Sequence, residues 1–140
     1  MIVYFAGFVP CGQGYAVFFP DLPGCNSQGD TLPEAFSMAM EALAGHLEAM
    51  ADDGDTIPAP SGETEAMRKF QEQFAGLDMG PMPERAMMHP VPAPELDTAT
   101  AKVNVSFARY KLDMIDRKAK AAGMTRSGFL AAAAGAYAVE

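Results

Sequence analysis

The spacing of apolar residues changes character along the chain, and each change predicts a different element. Two apolar runs, Ile2–Val9 and Tyr15–Phe19, flank Pro10-Cys11-Gly12-Gln13-Gly14, which predicts a β-hairpin. Pro20-Asp21-Leu22-Pro23-Gly24-Cys25 ends the second strand, because two prolines and a glycine exclude both helix and continuing central strand. A third short strand is expected over Cys25–Gln28. The period then becomes helical. Leu32, Ala35, Phe36, Ala39, Leu43 and Leu47 form one apolar stripe, which Met40 and Met50 extend. Thr31 as N-cap with Glu34 three residues on is a capping box, and Pro33 falls in the first turn, where it is tolerated. This helix should run to about Ala51 and stop at Asp52-Asp53-Gly54-Asp55, leaving Ile57-Pro58-Ala59-Pro60-Ser61 extended. Met67, Phe70 and Phe74 predict a second amphipathic helix over Glu63–Leu77.

Pro81, Pro83, Pro90, Pro92 and Pro94 exclude a helix through most of the next stretch, while Arg85–Val91 suits a short edge strand added to the N-terminal sheet. Glu95–Ala101 is polar and small-sided, so the expected division is a body at 1–95, a linker at 96–101 and a tail at 102–140. The tail opens on strict alternation: Val103, Val105 and Phe107 fall on one face, Lys102, Asn104 and Ser106 on the other. A lone strand leaves its backbone groups unsatisfied and its apolar face bare. No second strand follows in the tail, so the simplest partner is the same strand of another copy. The product would be a two-stranded antiparallel ribbon with one polar face, sized for the DNA major groove. Two helical stretches follow, joined by Gly123-Met124-Thr125-Arg126-Ser127. Thr125 is the expected N-cap of the second, leaving Arg126 and Ser127 in its first turn, where free amides and a cation suit a backbone phosphate. Leu112, Ile115, Ala119, Phe129, Leu130, Ala133 and Tyr137 read as the core of a dimer.

Charge sharpens this division. Residues 1–101 carry 15 Asp and Glu against 3 Lys and Arg, a net −12; residues 102–140 carry 3 against 7, a net +4. The tail suits a polyanion; the body repels one and attracts a basic protein. A hydrophobic content of 49% excludes a wholly disordered chain. Cys11 and Cys25 lack zinc-site spacing, and the first residues show neither a leader pattern nor a membrane span, so reduced thiols in the cytoplasm are expected. A two-metal nuclease needs clustered carboxylates, beginning within the first strand, and Ile2–Val9 carries none. No catalytic residue, metal ligand or cofactor site is expected.

Two separate stretches now resemble one family. The string Pro20-Asp21-Leu22-Pro23-Gly24-Cys25, followed by Gly29-Asp30-Thr31, Glu34-Ala35, Glu41-Ala42 and Ile57-Pro58-Ala59-Pro60-Ser61, resembles the HicB antitoxin domain. Val103-Asn104-Val105, Ile115-Asp116, Ala119, Gly123-Met124, Arg126-Ser127 and Phe129-Leu130 look like the ribbon-helix-helix module found on one branch of that family. Together they leave only about 62–82 and the linker unmatched. The resemblance implies an α+β chain: a partial RNase H-like β-β-β-α-β domain followed by a ribbon-helix-helix domain. It implies a partner, the small basic HicA toxin, which cleaves mRNA, and repression of the protein's own promoter through the tail.

On that basis the residues expected to meet the toxin are Asp21, Leu22, Pro23 and Asp30, with Asp21–Gly24 read either as a rigid turn or as an acidic rim. Those expected to meet operator DNA are Lys102, Asn104, Ser106, Thr125, Arg126 and Ser127. Lys reaches guanine O6 and N7, Asn bonds adenine bidentately, and Ser is permissive. The chain should dimerise through its tail, with a tetramer as a further state. Two rivals are a stand-alone transcription regulator whose body senses something else, and an active RNase H-like nuclease.

Overall fold

The computed structural model describes residues 1–97 and 99–139. The chain divides into two compact units, Met1–Ala99 and Thr100–Glu140. The first holds β1 (Val3–Cys11), β2 (Gly14–Phe18), β3 (Asn26–Gly29), α1 (Leu32–Asp52), α2 (Glu63–Ala75) and β4 (Met87–Pro92); the second holds α3 (Arg109–Ala121) and α4 (Arg126–Ala136). The first unit is thus β-β-β-α-α-β, one helix more than the core implied by the resemblance. That extra helix is the one predicted by Met67, Phe70 and Phe74.

The four strands form one antiparallel sheet in the order β3-β2-β1-β4. The hairpin is tighter than expected: Cys11 pairs with Gly14, leaving Gly12-Gln13 as a two-residue turn. Pro10 is accommodated inside β1 because β4 reaches only as far as Phe8, so the strand is an edge there. Pro90 and Pro92 lie in β4, itself an edge strand, the place where a residue without an N–H is tolerated.

Period-two alternation sends Tyr4, Ala6 and Phe8 to one face of β1 and Gly7 and Val9 to the other. On the first face they join Val17, Phe19, Leu22, Cys25 and Val91 beneath the α1 residues Ala35, Ala39, Leu43 and Leu47. On the second face Val9 meets Phe70 and Phe74 of α2, with Phe18, Met67 and Met88 around them. The sheet is therefore covered on both sides. Phe70 lies directly over Gly7. A Cβ there would press on the ring, with Cδ2 of Phe70 at only 2.7 Å. Met40, expected on the buried stripe of α1, is exposed instead, because the sheet is reached by the line through Ala35, Ala39, Leu43 and Leu47. At the start of α1 the Thr31 hydroxyl accepts from Glu34 N–H at 3.2 Å, while the Glu34 carboxylate accepts from Asp30 N–H at 2.9 Å. The return bond of the capping box thus falls one residue before the cap.

Helices on opposite faces oblige residues 53–62 to round the end of the sheet where β1 begins and β2 ends. Asp21 holds them there. Its carboxylate accepts from Ser61 N–H and Ser61 Oγ, each at 2.7 Å, and from Lys69 Nζ of α2 at 2.9 Å. Lys69 Nζ also donates to Ser61 Oγ at 3.0 Å, and the Tyr4 hydroxyl donates to Pro58 O. Burial by itself would raise the Asp21 carboxyl, yet the bonds from Ser61 and Lys69 outweigh it and hold the group below the usual Asp value. Burial, with the Asp21 charge added, pushes the Tyr4 phenol up.

In the second unit α3 packs against α4, but among the described residues only Ile115 and Ala119 are buried; Leu112, Phe129 and Leu130 are half-buried and Tyr137 is exposed. Thr125 caps α4 as expected, accepting from Gly128 N–H at 3.0 Å. Residues 102–107 find no strand partner among the described residues of this single chain, and Val103 and Val105 are 78% and 67% exposed.

Two stability predictions follow from this packing. Gly7→Ala forces the Phe70 ring off the sheet and should cost about 1–3 kcal/mol in urea unfolding, as overpacking does, with Phe70→Leu in the same chain recovering part of the loss. Asp21→Asn should cost about 1.5–3 kcal/mol at neutral pH, the value of hydrogen bonds to a charged group. A carboxyl whose folded pKa lies below its unfolded value of about 3.9 contributes fully above that pH and loses its contribution as pH falls through the folded value. The gap between wild type and Asp21→Asn should therefore close in acid; a gap equal at pH 7 and pH 3 would contradict the role given to the carboxylate.

Candidate functional site

Each unit presents its own candidate surface. In the first, Leu22-Pro23-Gly24-Cys25 is a β-turn closed by Cys25 N–H donating to Leu22 O at 2.9 Å. Pro23 presets the first central φ and Gly24 takes φ 89° at the second, the requirement of a type II turn. Phe19 N–H donates to Cys25 O at 3.2 Å, so the turn is tied at its base to the end of β2.

This geometry separates the four residues expected to face a toxin. The Asp21 side chain is 1% exposed and committed to Ser61 and Lys69, and Leu22 is buried in the core. Neither forms a rim; both hold the turn in place. Pro23 and Asp30 are exposed, Asp30 immediately before the cap of α1. The acids a nuclease would recruit have separate structural partners: Asp21 as above, and Glu34 on the Asp30 amide. Among the described residues no group of three or more His, Cys, Asp or Glu could hold a metal ion. Cys25 is buried, its thiol pushed up to about 11 by burial, whereas Cys11 is exposed; both are free. Among the described residues no helix is long and apolar enough to cross a membrane.

In the second unit the seven Lys and Arg side chains, Lys102, Arg109, Lys111, Arg117, Lys118, Lys120 and Arg126, are all exposed. Asn104, Arg126 and Ser127 line one open groove with Val103, Val105, Phe107, Leu112 and Leu130. Lys102 and Ser106 lie outside that groove, and Thr125 is occupied as the cap of α4. Three of the six residues expected to touch DNA are therefore brought together within one copy.

Arg126 differs from the sequence expectation in one respect. Its Nε donates to Asp116 Oδ1 at 2.8 Å and its Nη2 to Asp116 Oδ2 at 2.9 Å. The hydrogen bonds from Arg126 hold the Asp116 carboxyl below the usual range and raise the guanidinium in turn. Sequence reasoning singled out Arg126 without this partner, since the two are ten residues apart and on different helices.

Comparison with known proteins agrees with this layout. The sequence pattern of the HicB-like antitoxin of bacterial toxin–antitoxin systems matches residues 10–134. Antitoxin HicB 1 of Photorhabdus laumondii is 47% identical over 47 residues, 34% of this chain and 30% of that protein. The chain spans 30% to 57% of the length of the curated relatives it matches. The crystal structure of the Burkholderia pseudomallei antitoxin HicB is similar over 96% of this chain and 94% of that one, with 30% identity and a TM-score of 0.63. A chain of the HicA3 and HicB3 toxin–antitoxin complex shares the fold over 67% of this chain and 100% of its own, at 22% identity and a TM-score of 0.51. With its sequence pattern matched through both units and its fold shared along almost the whole chain, this protein belongs to the HicB-like antitoxin family.

Proposed function

We propose that the protein neutralises a small basic, mRNA-cleaving toxin of the HicA type through its first unit and represses its own promoter by binding operator DNA through its second. The observation that carries this reading is that charge divides where the fold divides. The acidic residues 1–99 and the basic residues 100–140 belong to separate compact units, so two partners of opposite charge can be served without mutual cancellation. On the first unit, the exposed Pro23 in the turn and the exposed Asp30 just before α1 are the toxin contacts in this reading.

The second unit is incomplete alone. Two buried side chains are too small a core for 41 residues, and the exposed Val103, Val105 and Phe107 need cover. Pairing of residues 102–107 with the same segment of a second copy supplies both the missing backbone bonds and that cover. A partial RNase H-like body and a ribbon-helix-helix tail describe the two units in this reading, with a homodimer, or two dimers as a tetramer, as the working assembly in the cytoplasm.

Co-expression with the product of an adjacent small basic open reading frame tests the first activity. The two should co-purify and RNA cleavage should cease; a toxin that stays active and unbound contradicts the reading. Association should also slow as salt rises, because attraction beyond a Debye length of about 8 Å is screened at physiological ionic strength. Stopped-flow on-rates that stay flat across a salt series would mean the acid serves solubility alone. For the second activity, Asn104→Ala should cost about 1–3 kcal/mol of operator affinity, one bidentate base contact, with little change on scrambled duplex. Unchanged operator affinity and selectivity in a gel-shift titration would remove Asn104 as a reader.

A further inference from the structure

Among the described residues, Arg126 is the one candidate for DNA contact whose side chain is already engaged by an anion. Asp116 on α3 takes two of its five N–H donors in the parallel fork that carboxylates and phosphates share. The pair is open to solvent, with side chains 54% and 41% exposed, so it is strong in geometry and weak in free energy. Arg126 opens α4 directly after its Thr125 cap, the helix start read above as suited to a backbone phosphate, so a duplex held by the tail brings its backbone to the same guanidinium.

We propose that Asp116 is a built-in competitor of DNA phosphate for Arg126, setting how tightly the tail holds any duplex. The inference rests on the DNA-binding reading. A phosphate that reaches Arg126 must replace the Asp116 carboxylate, which then draws its own cation from solution. That contact releases no net counterion. With Asp116 neutralised, Arg126 meets the phosphate directly and one counterion is set free. The effect is independent of base sequence, because phosphate contacts position a protein and carry no sequence information.

The test uses the full-length protein, fluorescence anisotropy on an operator duplex and a scrambled duplex, and a salt series. Asp116→Asn should tighten both duplexes about two- to fivefold, the worth of an exposed ion pair. Its plot of log affinity against log salt should steepen by about 0.9, one additional phosphate neutralised. In an Arg126→Ala background the same substitution should change neither quantity. Equal affinity and slope for wild type and Asp116→Asn, weaker binding, or a gain that persists without Arg126 each overturn the proposal; the last would assign it to bulk charge. Should Asp116→Asn lose its helical circular dichroism, Asp116→Ser is read by the same criteria. A wild type that binds neither duplex removes the DNA reading and this inference together, whereas a wild type that binds both while Asp116→Asn merely matches it removes the inference alone.

Discussion

One buried carboxylate governs the first unit. Because α1 and α2 cover opposite faces of the same sheet, the chain between them has to leave one face and arrive on the other. Asp21, three residues past β2, fastens that passage by accepting three hydrogen bonds, two from Ser61 on the connection and one from Lys69 on α2. An ionised group with an almost fully buried side chain is costly unless it is paired and bonded, and here every donor comes from the segment that needs to be held. The same bonds keep the carboxylate charged by lowering its pKa against the effect of burial. Removing the carboxylate would release all three bonds at once, on the extended segment and on α2.

The second constraint is steric. α2 can reach β1 only because position 7 has no side chain, which lets the Phe70 ring lie on the backbone. Val9, Phe70 and Phe74 then close a small core of their own, separate from the larger one beneath α1. Two cores on one sheet let a body of fewer than 100 residues leave little of its sheet exposed. The second unit lacks such economy. Its helices bury Ile115 and Ala119 and leave the residues of 102–107 open.

Electrostatics separates the two units as plainly as packing does. A net −12 on one and +4 on the other would steer each toward a different polyelectrolyte. Within the basic unit the Asp116–Arg126 fork moderates that tendency, tying the first residue of α4 back to α3 while covering one of seven cations.

Local patterns in the sequence determined the elements themselves. The hairpin, the third strand, α1 with its Thr31 cap, α2, the proline-bearing edge strand and the Thr125 cap were legible because each depends on hydrogen bonds and side-chain periods only a few residues long. What Asp21 does was not legible. Its partners lie 40 and 48 residues away, and their approach depends on which faces the helices take. Leu22 looked like part of a surface motif, yet the turn that carries it points it into the core. Met40 shared the helical period of the stripe, but the angle at which α1 meets the sheet left it outside. The Arg126–Asp116 pair likewise required two helices to be brought together. Periodicity along a chain says which residues share a face; only tertiary packing says what that face meets, because the meeting is made by residues distant in sequence.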